Sequence, residues 1–330
     1  MHADKSDAVF GRSASVLTRR LALAVLGSIP MRRATRPENV PRAVPRTRLV
    51  FGGDIMLSRF VGQLARARGD PASPLRDLAP VLASADIAFA NLESPFSDRG
   101  KIFEGRMIFK AEPDMISGLE LAGIDVVSTA NNHSRDCGRR GVEFTLDWLA
   151  KHGIAAAGSG ETEEAAHRGI VLERNGVRFG FLAYTYDQSN GNHRDSDDRV
   201  AVMDVARMRL DVADLKTRAD VAVVSMHAGD EYSPRPNGRQ TEFARAAIEA
   251  GASVVAGHHP HVVEPWERYR QGVIFYSLGN LVFDQFQRAE TQHGVLGEVV
   301  FAGTAIERAG VLPVDIVRTA PRLAAVNARE

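Results

Sequence analysis

Thiol is almost absent from this chain. Among 330 residues there is one cysteine, Cys137. A lone thiol cannot close a disulfide within the chain, and it cannot build a thiolate-rich zinc site. Any metal must therefore be held by histidine, asparagine and carboxylates. A surplus of charge is missing too. The 41 basic and 41 acidic side chains cancel, which removes the overall electrostatic case for nucleic acid binding. No internal repeat of solenoid type is visible. What remains is an ordinary soluble composition, long enough for one large domain or two small ones with an ample core.

Residues 1–46 stand apart. They carry many arginines, few acids and several prolines. Thr18-Arg19-Arg20-Leu21-Ala22-Leu23 precedes an uncharged run to Met31. Two arginines before a short apolar run resemble a twin-arginine export signal. The run is too short to stay in a bilayer as a mature helix. Two other readings stand beside it: an unstructured basic leader, or a true start at Met31. Residues 33–46 read as linker and residues 47–330 as the folded domain. Export to the cell envelope is the expectation, with a cytoplasmic location as the alternative.

Within 47–330, strand and helix patterns alternate. Residues 48–54, 86–93, 125–130, 154–158, 220–226, 254–257 and 273–278 read as strands. Residues 56–68, 75–83, 113–122, 141–152, 203–218 and 240–250 have helical spacing. Asn175-Gly176 between 170–174 and 177–184 is a hairpin signal. Residues 187–199 form a polar loop, and strands and turns follow 278. Such alternation implies an α/β fold with a largely parallel sheet, whose functional residues collect at the carboxyl ends of strands. Five strands end in polar clusters: Asp54, Asn91/Glu93, Asn131/Asn132/His133, His227, and His258/His259/His261. On this pattern all five meet on one edge. Any one of them alone reads equally well as a cap or turn residue.

The densest cluster is Val254-Val-Ala-Gly-His258-His259-Pro260-His261. Neutral imidazole is a good ligand for Zn, Fe or Mn, and clustered histidines are a metal signature. The candidate ligands are Asp54, Glu93, Asn132, His227, His259 and His261. Two carboxylates, one amide oxygen and three imidazoles favour a divalent transition metal (Mn, Fe or Zn) over Ca or Mg. Six ligands exceed what one catalytic zinc needs, so two ions are expected, bridged by Glu93. His133 is the candidate general acid. Asp136 either orients His133 or caps the next helix.

Taken together, Gly53-Asp54, Asn91-Leu-Glu93, Asn131-Asn132-His133, His227-Ala-Gly-Asp-Glu231-Tyr232, Gly257-His-His-Pro-His261 and Tyr276-Ser-Leu-Gly-Asn280 resemble the calcineurin-like metallophosphoesterase superfamily. Within it they resemble the CapA branch of capsule and poly-γ-glutamate synthesis proteins, over residues 47–290. The resemblance implies a four-layer α/β/β/α sandwich of metallo-dependent phosphatase type, with a dinuclear site at the strand ends. One departure matters. Hydrolytic members carry Asp-x-His on the first strand, where this chain has Asp54-Ile55-Met56, and a thioether is a poor ligand for a hard ion. Glu93 stands where Asp is usual. His258 or Asp136 could make up the missing ligand. Residue 56 is expected to face the same way as Asp54, two residues along an extended strand.

Further residues are expected to contact substrate or support the ligands: Arg59, Asn91, Asn131, Glu231, Tyr232, His258 and Asn280. Arg59 could equally pair with an acid. His152, His167, His193 and His293 read as structural or exposed, and Cys137 as a small packing residue. Three functions follow. One is a metal-dependent hydrolase of capsular poly-γ-glutamate synthesis, acting on an anionic polymer or phosphoester within an envelope biosynthesis complex. The second is a non-catalytic polymer-binding or assembly factor with a degenerate metal site. The third is a cytoplasmic metal-dependent phosphoesterase.

Overall fold

Runs such as Val221–Met226, apolar at almost every position, must be covered on both faces. The structure, a computed structural model, describes residues 44–99, 107–186 and 199–325. The stretch 1–43, on which the expected export signal falls, lies outside the described residues, as do His193 and nearly all of the polar loop.

In chain order the elements begin with β1 (Arg46–Ile55), α1 (Arg59–Ala67), α2 (Ala79–Leu82), β2 (Ile87–Leu92) and α3 (Ile116–Leu121). Next come β3 (Val126–Ser128), α4 (Gly138–Lys151), β4 (Ala155–Ala157), α5 (Glu163–His167), β5 (Ile170–Arg174) and β6 (Val177–Thr185). Then follow α6 (Val205–Arg218), β7 (Val221–His227), α7 (Gly238–Ala250) and β8 (Val254–His258). The chain closes with β9 (Trp266–Tyr269), β10 (Gly272–Phe275), β11 (Asn280–Val282), β12 (His293–Ala302), β13 (Ala305–Val317) and β14 (Ala320–Leu323). Arg46, expected as the last linker residue, already opens β1.

The α/β class is as expected, and the strands form two sheets, as the family resemblance implies and the strand–helix alternation alone does not. The first has the order β14-β13-β12-β1-β2-β3-β4, with β11 added alongside the end of β1. The second has the order β5-β6-β7-β8-β10-β9. β1 to β4 run parallel, as do β6, β7, β8 and β10. β12, β13 and β14 are antiparallel additions. The second sheet starts at the expected hairpin, where Asn175 and Gly176 take φ of 52° and 77°. Positive φ at both central residues is the turn that matches strand twist.

Side chains alternate between layers with period two. On β1, Leu49 and Phe51 pack against Phe179, Phe181 and Val223 of the second sheet. Val50 between them packs outward with Val61, Leu78 and Leu119. On β7, Ala222 and Val224 turn the other way, onto Met208, Val212 and Phe243 from α6 and α7. Apolar residues thus fill three layers, one between the sheets and one outside each.

Two expected helices are shorter than their patterns. The stretch 75–83 becomes a 3-10 turn, Ser73–Leu75, and then α2, with Pro80 in its first turn. The stretch 113–122 begins as a 3-10 turn before α3. Proline near each start supplies a helical φ but no N–H. α5, β9 and β11 have five residues or fewer, too few for periodicity to show.

Candidate metal centre

The carboxyl ends of the two sheets face each other, and each brings one row of polar side chains. Asp54 sits in register with Asn91 and with Asn280 in the first sheet. His227 sits beside His258 in the second. Glu93 follows β2 directly, and Asn131-Asn132-His133 follow β3. The expected single edge is therefore two edges meeting. Two glycines allow close backbone packing at these strand ends, one within each sheet. A Cβ on Gly53 would lie 2.0 Å from the Gly279 carbonyl oxygen, and one on Gly257 would lie 1.9 Å from that of Tyr276. No other residue fits such approaches.

Amides wire the first-sheet half. Asn91 Nδ2 donates to Asp54 Oδ1 at 2.8 Å and lies 3.2 Å from His227 Nδ1. Asn131 Nδ2 donates to Asn91 Oδ1 at 3.1 Å and to the Leu92 carbonyl at 2.8 Å. Asn131 Oδ1 accepts from the His133 backbone N–H at 3.1 Å. Asn91 and Asn131 therefore hold the carboxylate row from behind.

On the other half, His227 Nε2 lies 2.9 Å from Asn132 Oδ1. His261 Nδ1 lies 3.0 Å from Asn280 Oδ1, and its Nε2 lies 3.8 Å from Glu93 Oε1. An amide oxygen only accepts, so His261 carries its proton on Nδ1 and turns the Nε2 lone pair toward Glu93. Asn280 is itself fixed through Gln285 Oε1 and the Thr291 carbonyl. His258 Nδ1 stands 3.5 Å from Asp54 Oδ1. His259 and His261 hold φ of 99° and 61°, while Arg59 and Tyr232 hold 49° and 66°. Among the described residues, four of the eight non-glycine residues with positive φ thus surround this site, where such strain is commonly stored.

One ligand atom from each of Asp54, Glu93 and His227 lies within 4.8 Å of the other two. All three residues are fully buried. Glu93 Oε1 and Oε2, both ring nitrogens of His258, and Nδ1 of His259 are buried without a hydrogen-bond partner. Buried polar atoms are rarely left so. Oxygen and imidazole donors converging without partners are what a divalent cation requires, so the residues fit a metal.

The electrostatics agree. Burial, then the nearby Asp54, Glu231 and Asp136 charges, push the Glu93 carboxyl well above its usual range. Burial opposes ionisation of Asp54 as well, but the His258 and His261 rings outweigh it and hold that carboxyl well below its usual range. Burial and neighbouring imidazoles push His227 far down and His259 down to about 3. Neutral imidazole is the metal-binding form.

His133 projects toward the cluster. Its Nε2 is 3.9 Å from Glu93 Oε1 and its Nδ1 is 2.7 Å from Asp136 Oδ2. Asp136 also accepts from the Phe109 N–H at 2.7 Å, and the Phe109 ring stacks on His133 at 3.7 Å. Asp136, a catalytic candidate together with His133, contacts the His133 ring at Nδ1, while Nε2 is the ring nitrogen near Glu93. Arg59 pairs with Asp284 at 3.0 Å and lies over Phe109. The acid pairing is the alternative that the structure realises.

Tyr232 donates its N–H to the Pro260 carbonyl at 2.8 Å. It lines a cleft of about 420 Å3 with Pro234, Val262 and Arg288, and the Arg288 guanidinium lies 4.5 Å above its ring. Glu231 beside it is exposed.

Met56 differs from its expected orientation. It is fully buried in the helix-side apolar cluster. Its sulphur accepts from the Ser58 N–H and hydroxyl at 3.3 and 3.0 Å. The register shifts on either side of Asp54, so the simple two-residue alternation fails there. Phe109, Gln285 and Arg288 escaped the sequence reading, because contacts across the fold leave no local pattern. Cys137 is buried and its thiol is pushed up to about 12, chiefly by burial, as a packing residue would be.

Two mixed sheets, parallel at their centres, with a buried oxygen and imidazole cluster at the carboxyl ends of those strands, agree with the α/β class that the metallophosphoesterase resemblance implies. The family described as bacterial capsule synthesis protein PGA_cap matches residues 48–285, and the chain belongs to it. It is 32% identical over 275 residues to the PGA biosynthesis protein CapA of Bacillus subtilis (strain 168), covering 82% of this chain and 72% of that one. It is 31% identical over 280 residues to the capsule biosynthesis protein CapA of Bacillus anthracis, covering 82% and 67%. A solved structure of a hypothetical protein from Thermus thermophilus shares the fold. It has a TM-score of 0.53 and 18% identity, and covers 81% of this chain and 99% of that one.

Proposed function

We propose that this protein is a metal-dependent hydrolase of capsular poly-γ-glutamate synthesis, exported to the cell envelope and working there with other biosynthetic proteins. Asp54, Glu93, Asn132, His227, His259 and His261 would hold two divalent transition ions, Mn, Fe or Zn. The observation that carries this reading is Glu93, a fully buried carboxylate with neither oxygen hydrogen-bonded. The capsule role is supported by the two Bacillus relatives that carry that name.

Bound metal would supply Lewis acidity and a water of lowered pKa. The chain's own residues do the rest. Asp136 and the Phe109 ring fix the His133 plane, so that Nε2 meets a leaving group on the Glu93 side and passes it a proton. Asn280 fixes the His261 tautomer. The cleft at Tyr232 and Arg288 admits an anionic chain beside His261, with the guanidinium meeting a carboxylate or phosphate oxygen.

A second reading is favoured by one observation. Met56 stands where a ligand imidazole is usual and its sulphur is engaged by Ser58, which suits a polymer-binding assembly factor with a single tight ion. Elemental analysis after exchange into metal-free buffer, followed by assays on phosphodiesters and γ-glutamyl amides, separates the two. In an enzyme, His133→Ala keeps the parent's metal content and lowers turnover by about 10²–10⁴-fold. Nitrophenyl esters, whose leaving group needs no proton, lose less. A parent that turns over nothing leaves the assembly factor as the better reading. A metal-free parent after Mn or Zn is supplied removes the centre altogether.

A further inference from the structure

Away from the metal centre, a cleft of about 380 Å3 opens between the end of α1 and the β13–β14 turn. Four arginines line it: Arg68, Arg76, Arg318 and Arg322. Only two carboxylates join them, Asp70 and Asp77. Arg76 is held by Asp70 at 2.7 Å. Arg68, Arg318 and Arg322 are exposed and have no ion-pair partner among the described residues. In a chain of zero net charge, such a local surplus of guanidinium is a distinct feature. The hydroxyl of Ser73, also in the lining, is buried without a hydrogen-bond partner. Arg318 and Thr319 form the β13–β14 turn with φ of 47° and 76°, a conformation that Asn-Gly adopts far more readily. Arg318 and Arg322 lie beyond the family match at 48–285.

We infer that this cleft is a second anion site, which grips successive carboxylates of a polyanionic polymer. Naming that polymer as a γ-linked glutamate chain rests on the proposed function. Guanidinium binds carboxylate through a planar fork. Each γ-linked glutamate carries one free carboxylate, so three unpaired arginines in one cleft suit consecutive units better than a single small anion. The cleft and the metal centre lie at opposite ends of α1, whose nine residues span about 14 Å. A chain of several units reaches both, and the second contact gains from the first.

The test is calorimetric titration of full-length, metal-loaded protein with short poly-γ-glutamate at low ionic strength, with free glutamate and inorganic phosphate as comparison ligands. Arg318→Glu with Arg322→Glu should weaken polymer binding about tenfold or more, with metal content unchanged. Arg318→Asn with Arg322→Gln, which suits the strained turn, should show a smaller loss with parent stability. Arg209→Glu, on α6, is the control for overall charge. Equal affinity in the charge-reversed protein overturns the proposal, as does an equal loss in the control. Phosphate or free glutamate binding as tightly as polymer overturns it too. A parent that binds no polymer at all brings down the polymer reading, whereas binding insensitive to Arg318 and Arg322 brings down only this cleft.

Discussion

The two halves of the metal centre are built differently. The first-sheet half offers oxygen, and its donors sit on or directly after strands, braced by the Asn131–Asn91–Asp54 series of hydrogen bonds. The second-sheet half offers imidazole, and two of its rings sit on a loop with φ of 99° and 61°. One half is rigid by regular structure, the other by strain that its neighbours must maintain. Rigid donors set where an ion can lie. Strained donors decide how tightly it is held, because any relaxation withdraws them.

Glu93→Ala should break the comparison most completely. It removes the donor that stands between both halves, 3.8 Å from His261 and 3.9 Å from His133. Metal content by elemental analysis should fall close to zero. Retention of the parent's content would show that the imidazole half binds an ion alone.

Asn280→Ala is the gentler probe of the strained half. It leaves every proposed ligand in place but frees the His261 ring to turn or change tautomer. Loss of such a supporting partner typically weakens metal binding by about 10–100-fold. Competition with a chelator of known affinity measures it, and unchanged affinity would mean that the loop alone orients His261.

Met56→His tests the rigid half. Since Met56 is packed in the apolar cluster with its sulphur bonded to Ser58, an imidazole there should lower stability by about 1–3 kcal/mol without adding an ion. Thermal melts and metal titration read the two quantities. Tighter binding of a second ion would show that residue 56 turns toward Glu93 after all.

These contrasts also explain what the sequence could reveal. The polar endings at Asp54, Glu93, Asn132, His227 and His259 were legible because parallel strands must be apolar inside and can turn polar only at their ends. The hairpin was legible because Asn175-Gly176 is a local signal. The split into two sheets was legible only through the motifs that carry the family resemblance, not through periodicity. Periodicity reports that a strand is covered on both faces, not whether helix or sheet covers it. Phe109 behind His133 and Asp284 against Arg59 depend on contacts far apart in sequence. Met56 misled because the register shift beside Asp54 is invisible in a string of apolar letters.

The smallest expected effect lies where the strained loop meets the helix layer. Glu264, three residues past His261, is buried; its Oε2 accepts from Gln240 Nε2 at 2.8 Å, while its Oε1 has no hydrogen-bond partner. Gln240 in turn completes the capping box of α7. Burial pushes the Glu264 carboxyl up to about 7. The folded chain therefore holds this proton more tightly than the unfolded chain does. Between the ordinary glutamate value and about 7, folding takes up a proton, so this group's contribution to stability falls as pH rises. Its cost is absent in acid and complete above neutrality. Glu264→Gln keeps the acceptor for Gln240 and removes the buried charge. It should raise stability at pH 8 by about 1–2 kcal/mol, allowing for solvent screening, and should change little near pH 4. Denaturant melts of metal-free parent and variant across this range provide the measurement. The other titrating groups are common to both proteins and cancel in the difference. Parallel curves would mean that Glu264 ionises as an ordinary surface acid and that the loop carrying His259 and His261 is anchored without it.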